Sequence, residues 1–477
     1  MIKINKLNEV YLKLTLEDKG QAYEIAEEFS FEIPNARFNP KVKAGVWDGV
    51  IKLFNVNNHT IYIGLLNDLK TFLDSMGYDY EVTFEENDSE VKPEAVLEFL
   101  EGLDLPENIN IRPYQFDTLV EAINKERLLV LSPTSSGKTL IQYMICRWFN
   151  VKTLIVVPTT TLVDQTVTDF ASYGYKKEIL GIMAGVPKDV KGYDIVVSTW
   201  QSIYEQPAKW FQQFEMVIGD EAHLYKSKSL TGIMHKCIHA RYKFGLTGTI
   251  EDTLIDEMVL RGLFGDLYIA TTTSEMIKSG YVPDVHVEAI VLTHKKADIP
   301  INAKTTYDLE VQLLNDSEKR NEFISALTGI IEGNTIVLFN FVEKHGKILY
   351  EKIKKHKKNV FFVHGKIKTA ERIKIRKAME TYNDAVVIAS YKTFGTGVSI
   401  NNLHNAIFAQ GYKGKVRVLQ AIGRTLRLHE SKKYVTLYDI CDTFESKKFS
   451  YSMKHFKQRH KMYAENKFKF KLRQITL

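Results

Sequence analysis

The chain has 477 residues, is 44% hydrophobic and 26% charged, carries a net charge of +6, and has three cysteines, Cys146, Cys237 and Cys441. That length is enough for about three domains with unstapled cores, and no CxxC pair exists to build a zinc ribbon or a disulfide framework. No apolar run reaches the ~18 residues of a membrane helix, and the start MIKINKLNEVYLKL has no signal-peptide core, so no membrane partner and a cytoplasmic location are expected.

That opening stretch alternates polar and apolar residues like a strand. Farther on, Arg37, Lys41, Lys43 and Lys52 surround Trp47. The cluster suits a duplex-DNA-binding surface, and equally a Trp-centred core with solvated lysines. Residues 1–85 are read as a small α+β module. Residues 81–107 hold ten acidic side chains and one basic one, Lys92, around the amphipathic stretch EAVLEFLEGL. Residues 86–109 are read as an acidic linker.

Short apolar runs alternating with helical patterns follow. LLVLS (128–132), TLIVVP (153–158), IVVST (195–199), MVIGD (216–220) and FGLTG (244–248) make one set, within 110–275. TIVLFN (335–340), VFFVHG (360–365), AVVIAS (385–390), NAIFAQG (405–411) and YVTLYD (434–439) make a second, within 276–442. Runs without alternation are expected of parallel strands buried on both faces, so the fold class is α/β with two doubly wound parallel sheets. SEMIKSGYVPDV, ending near Pro283, reads as a hinge. Residues 443–477 form a basic, aromatic-laced tail: 446–473 hold ten Lys or Arg against one acid, Glu465. Such a tail suits backbone neutralisation plus base stacking, or a solvated helix with a buried aromatic stripe.

The motifs run along the same path. In IRPYQFD (111–117), Gln115 can hydrogen-bond one edge of adenine while Tyr114 or Arg112 stacks on the ring. SPTSSGKT (132–139) lies between a strand and a helix, as a phosphate loop must. Pro133, Thr134, Ser135, Ser136 and Gly137 would wrap the phosphates, Lys138 would pair with the β- and γ-phosphates, and Thr139 would ligate Mg²⁺. Ser132 stands where the usual pattern has Gly. In MVIGDEAH (216–223), 82 residues beyond Lys138, Asp220 fits the Mg²⁺ role and Glu221 the water-orienting role of phosphoryl transfer. In QAIGRTLR (420–427), Arg424 and Arg427 share one helical face and fit arginine fingers.

In this order the pieces resemble the motifs of superfamily 2 helicases over about residues 110–430, with IRPYQ similar to the adenine-reading motif and DEAH to motif II. FNPKVKAGVWDGVIKLF, VVPTTTLVDQ, FVEKHGK and SYKTFGTGVSI narrow the resemblance to the phage UvsW family of branched-DNA helicases. The resemblance implies two RecA-like domains, ATP and Mg²⁺ as cofactors, and 3′→5′ remodelling of forks, Holliday junctions and D-loops in recombination, replication and repair. It adds Gln420 to the catalytic set, Gly397 and Ser399 to the nucleotide contacts, and His223, Thr247 and Thr249 as couplers between the ATP and DNA sites. Ala421 replaces a common motif VI Arg, and Ser399 a common motif V Asp. Phosphate grips on DNA are expected at Thr159, Thr161, Thr199, Trp200, Gln201, His364, Thr393 and Thr396, in addition to the cluster at Arg37; such contacts fix register without reading sequence.

The implied partners are branched and single-stranded DNA, RNA–DNA hybrids, and recombination or single-strand-binding proteins, for a chain that is monomeric in isolation. The motifs leave open an RNA helicase and a non-unwinding, ATP-switched duplex-binding scaffold. A restriction-type nuclease pair in PDVHVEAI lacks its lysine, because Ile290 stands there.

Overall fold

The computed structural model describes residues 1–85, 90–183, 185, 189–250, 254–296, 305–397, 400–411, 414–425, 429–445 and 450–477. The chain divides into two compact units, Met1–Ser132 with Gly137–Ala270, and Thr271–Leu477 with Pro133–Ser136. No helix among the described residues is long and apolar enough to cross a membrane.

The first unit begins with an α+β layer. Its strands are β1 (Ile2–Lys6), β2 (Tyr11–Thr15), β3 (Ser30–Glu32), β4 (Val50–Lys52), β5 (Phe54–Asn55), β6 (Thr60–Tyr62) and β7 (Tyr80–Val82). Five of them form a sheet in the order β5-β6-β2-β1-β7, and β3 and β4 form a separate antiparallel ribbon. Alternation sets the buried face: Ile2, Ile4, Leu12 and Leu14 point inward and are fully covered.

Next comes a seven-stranded, wholly parallel sheet: β8 (Arg127–Leu131), β9 (Thr153–Val157), β10 (Leu180–Ile182), β11 (Ile195–Thr199), β12 (Met216–Asp220), β13 (Tyr242–Thr247) and β14 (Leu267–Ile269). The order is β10-β11-β9-β12-β13-β8-β14. Both faces are buried. Leu129, Val156, Val196 and Val217 enter one core, and Val130, Ile155, Val197 and Ile218 enter the other. The stretch read as a linker is packed onto this unit: Val96 of the helix Pro93–Glu101 is fully buried, and Phe99 meets Trp148 edge-on at 4.9 Å.

The amino-terminal layer is fastened to the amino ends of β8 and β13. Glu9 pairs with Arg127 at 2.5 Å and with Lys6 at 2.7 Å, and its backbone N–H donates to the carbonyl of Ile238. Lys243, only 1% exposed, donates to the carbonyl of Glu9 at 2.7 Å. Burial, and then the neighbouring Arg127 charge, lower the Lys243 ammonium to about 7. Tyr62 stacks on Tyr11 and bonds His235 at 2.9 Å.

The second unit holds β15 (Asp284–His294), β16 (Thr335–Phe339), β17 (Asn359–Val363), β18 (Ala385–Ser390), β19 (Asn405–Phe408), β20 (Tyr434–Phe444) and β21 (Lys469–Thr476). These too are all parallel, in the order β17-β18-β16-β19-β20-β15-β21. Counted from its own first strand, each sheet runs 3-4-2-5-6-1-7, so one topology is used twice. The segment read as a hinge becomes the capped helix Thr273–Lys278 and the start of β15.

The residues read as a basic tail, 443–477, are built into this second unit. The helix Tyr451–Glu465 is tied down by Arg459, which forks onto Asp439, and by Tyr463, which donates to Asp439 at 2.8 Å. β21 then adds to the edge of the sheet, where Lys469 and Arg473 pair with Asp284 and Glu288 of β15. Several basic side chains are therefore engaged within the fold. Composition could not reveal this, because the partners of Lys469 and Arg473 lie more than a hundred residues upstream and Asp439 lies outside the basic stretch.

Candidate active site

β8 ends at Leu131, and the helix Lys138–Phe149 starts seven residues later. The intervening loop turns through two left-handed residues, Ser135 (φ 71°) and Gly137 (φ 80°). Ser136 is buried and its N–H donates to the carbonyl of Pro133 at 3.2 Å. Gly137 also has no room for a side chain, because a Cβ there would lie 2.4 Å from Nε2 of Gln115. The buried Gln115 amide accepts the N–H of Arg112 at 2.9 Å, and Arg112 in turn donates to the Tyr114 hydroxyl at 2.8 Å. Arg112, Tyr114 and Gln115 thus form a shelf against the phosphate loop, on the helix Pro113–Lys125.

Lys138 donates to the carbonyl of Ser132 at 3.1 Å, and half-buried Thr139 follows it in the first helical turn. Asp220 ends β12, and its carboxylate is 3.4 Å from Nε2 of Gln142, one turn along the same helix. Burial and the adjacent Glu221 charge push Asp220 up to about 7, against the opposing pull of Lys138. Gly219, just before it, makes way for Phe264 and Tyr225, both 2.8 Å from where a Cβ would sit. Glu221 is left-handed (φ 49°), a sparsely populated conformation for a non-glycine residue that recurs at functional sites. Its Oε2 is buried without a hydrogen-bond partner and lies 3.4 Å from His223 Nδ1. The same His223 nitrogen is 2.9 Å from Thr247 Oγ1, and that hydroxyl donates to the carbonyl of Thr249. The carboxyl ends of β12 and β13 are therefore tied through a Glu–His–Thr chain.

The other strand ends carry the remaining residues. Thr159 caps the helix Thr160–Ser172 in position, yet its buried hydroxyl has no partner; Thr161 is half-buried beside it. Thr199 bonds Ser202 at 2.8 Å, Trp200 packs edge-on against Tyr204, and Gln201 is exposed. In the second unit, Thr393 bonds Ser390 at 2.8 Å, and half-buried His364 sits against Phe362 beyond β17. Thr396 and Gly397 lie in the helix Tyr391–Gly397, and Gln420 and half-buried Arg424 lie in the helix Lys415–Thr425. The side chains of Thr396 and Gln420, and all of Ser399 and Arg427, fall outside the described residues. Arg37, Lys41 and Lys43 are exposed on the β3–β4 connection, while Trp47 donates its indole N–H to the carbonyl of Val50 at 3.0 Å.

Sequence reasoning missed Gln142 and Lys243. Gln142 sits on the polar face of a strongly helical run, four residues past Lys138, and that spacing could have flagged it. Lys243 was visible only as a lysine opening an apolar strand.

A phosphate loop, an adjoining strand-end carboxylate pair and a second sheet of the same topology define a nucleotide-driven motor of the helicase class. Residues 2–84 match the family described as DNA helicase UvsW, N-terminal; residues 108–252 match type III restriction enzyme, res subunit; and residues 318–429 match the helicase conserved C-terminal domain. The chain is 33% identical over 487 residues to the ATP-dependent DNA helicase uvsW of Enterobacteria phage T4, covering 96% of this chain and 97% of that protein. It is 27% identical to the DNA 3′-5′ translocase XPB2 of Sulfurisphaera tokodaii, covering 73% of this chain and 85% of that one. The crystal structure of T4 UvsW superimposes with a TM-score of 0.52 at 31% identity, covering 100% and 99% of the two chains. The chain belongs to the UvsW family of superfamily 2 helicases.

Proposed function

We propose that this protein is an ATP-dependent DNA helicase and translocase of the DEAH type that remodels branched DNA. The observation that carries the proposal is Asp220. It is a half-buried carboxylate that Lys138 does not fully neutralise, at the tip of a strand beside the loop 132–139. Such an acid is matched to a cation delivered with its substrate.

The donor set of Thr139, Asp220 and, behind it, Gln142 fits Mg²⁺ carried on ATP, which would neutralise charge on the β- and γ-phosphates. Lys138 would leave the Ser132 carbonyl to meet those phosphates, and the amides of the loop would hold them at the helix N-terminus. Gln115, already braced by Arg112, would read the adenine edge. Glu221 would orient the attacking water, with His223 reporting its state to Thr247 and Thr249. Arg424, Arg427 and Gln420 would supply positive charge and polar contacts to the transferring phosphoryl group, with Gly397 and Ser399 on the nucleotide. Thr159, Thr161, Thr199, Trp200, Gln201, His364, Thr393 and Thr396 would hold DNA phosphates. Alternating affinity for those phosphates would convert turnover into stepping. Host cytoplasm, single-stranded DNA, RNA–DNA hybrids and recombination proteins complete the reading.

The test is phosphate release and strand separation on a panel of fork, four-way junction, D-loop, plain duplex and RNA substrates. The proposal expects the branched DNAs to give the fastest turnover and to be unwound. Equal stimulation by RNA, or turnover with no strand separation on any branched substrate, would reject it.

A further inference from the structure

The connection between β3 and β4 is a rigid knuckle with an apolar tip. Left-handed Asn35 (φ 64°) turns the chain into the short helix Ala36–Phe38. Asn39 then caps Pro40–Lys43 by accepting the N–H of Lys41 at 3.0 Å. The carbonyl of Lys41 receives the N–H groups of Val46 and Trp47, and the Trp47 indole closes the base of the knuckle on Val50. Gly49 (φ 81°) cannot carry a side chain, since its Cβ would lie 2.7 Å from that of Ala36. These contacts brace the tip locally.

Two large apolar side chains are left outside: Phe38 is 60% exposed and Val46 is 77% exposed. The Arg37 guanidinium covers one part of the Phe38 ring at 4.9 Å. Arg37, Lys41 and Lys43 are exposed, and residues 33–47 contain no acid. The acids that flank this stretch are Glu32 and Asp48, and Asp48 is paired with Lys52 at 2.7 Å. An exposed ring stacked by one arginine, on a connection that also carries two exposed lysines, is matched to a ligand that combines phosphates with a flat aromatic face, which is nucleic acid with an unstacked base. A plain duplex offers such a face only where its stack is interrupted.

We propose that this knuckle is a branch-point wedge: Phe38, backed by Arg37 and Val46, stacks on the terminal base at a DNA junction while Lys41 and Lys43 hold the flanking phosphates. The proposal rests on the DNA reading above and refines it, because Trp47, the aromatic residue conspicuous in the sequence, is part of the support and Phe38 is the contact.

The test places 2-aminopurine either at the first base pair of a fork or ten pairs inside it, and measures its fluorescence with the full chain in the absence of ATP. The wedge predicts a fluorescence change at the branch point and little inside the duplex. It further predicts loss of that change in Phe38→Ala, retention in Phe38→Trp, and fork unwinding about tenfold slower in Phe38→Ala. Because Phe38 is mostly exposed, its urea midpoint should match wild type. A Phe38→Ala protein with the wild-type signal and unwinding rate would overturn the wedge, as would equal signals at the two probe positions. ATPase stimulation of the wild-type chain by single-stranded DNA tests the helicase reading separately, since the fluorescence arm needs no hydrolysis.

Discussion

The two parallel sheets share one strand order and differ in how they treat charge at their carboxyl ends. In the first sheet, half-buried Asp220 sits beside Glu221 and is raised to about 7, with Lys138 as an incomplete counter-charge. In the second, Asp442 near the end of β20 is fully buried, and Arg320 grips it through Nε at 2.8 Å and Nη2 at 3.0 Å, with His294 2.9 Å away. Burial alone would raise Asp442; the Arg320 charge and the His294 and Arg320 bonds outweigh it and hold the carboxyl well below its usual range. The same scaffold therefore carries one acid left short of positive charge and one that is fully paired. The first arrangement suits a site that receives a cation with its substrate; the second suits a strut.

That contrast can be broken by mutation. The largest effect belongs to Lys138→Ala, which should lower DNA-stimulated ATP turnover by roughly two to three orders of magnitude while leaving the urea midpoint near wild type. Wild-type phosphate release from that variant would remove the phosphate loop from the mechanism. Asp442→Ala should do the opposite, destabilising the second unit by about 3–5 kcal/mol because Arg320 is left buried and unpaired. Equilibrium unfolding monitored by intrinsic fluorescence would register it, and a change under 1 kcal/mol would erase the distinction between strut and site.

Asp220→Asn should abolish turnover yet raise the melting temperature of the nucleotide-free protein by roughly 2–4 °C at pH 8. The sign follows from the raised carboxyl. Folding favours its neutral form, so the stability linked to Asp220 is present below its unfolded value near 4 and is lost as pH rises through about 7. The advantage of the Asn variant should therefore vanish near pH 4. For the same reason Mg²⁺ affinity of the wild type should climb as pH passes 7, because the metal displaces a proton. A pH-independent difference between the two proteins would show that Asp220 is already ionised.

The smallest effect concerns a feature that the two sheets share. At the end of the fourth strand of each, a hydroxyl pair closes the turn: Thr199 with Ser202, and Thr393 with Ser390. Ser202→Ala and Ser390→Ala should each cost about 1 kcal/mol. Unequal costs, read from thermal unfolding of the two variants, would locate the pair that is also braced by other contacts.

Much of this was legible because it is local. Ten of the fourteen parallel strands coincide with apolar runs, since a strand buried on both faces must be continuously apolar. β10 and β14 escaped notice because each is three residues long. β15 begins only at the end of the segment read as a hinge and was not read as a strand, and β21 was hidden in a lysine-rich stretch that resembles a tail. An edge strand can be charged because one side stays in water. The strand–loop–helix at 128–149 and the strand ending in Asp220 were visible for the same local reason, since each is set by neighbours in sequence.

The sequence by itself determined the α/β class, the loop at 132–139 between a strand and a helix, and the carboxylate pair at Asp220 and Glu221 on a strand end, because each depends on neighbours within a few residues. Tertiary structure decided the rest. Only folding brings Glu9 to Arg127 and Lys243, Arg320 to Asp442, and Arg459 to Asp439, and so determines which charges are held inside the protein and which remain for a ligand. Charge is neutralised in space, not along the chain.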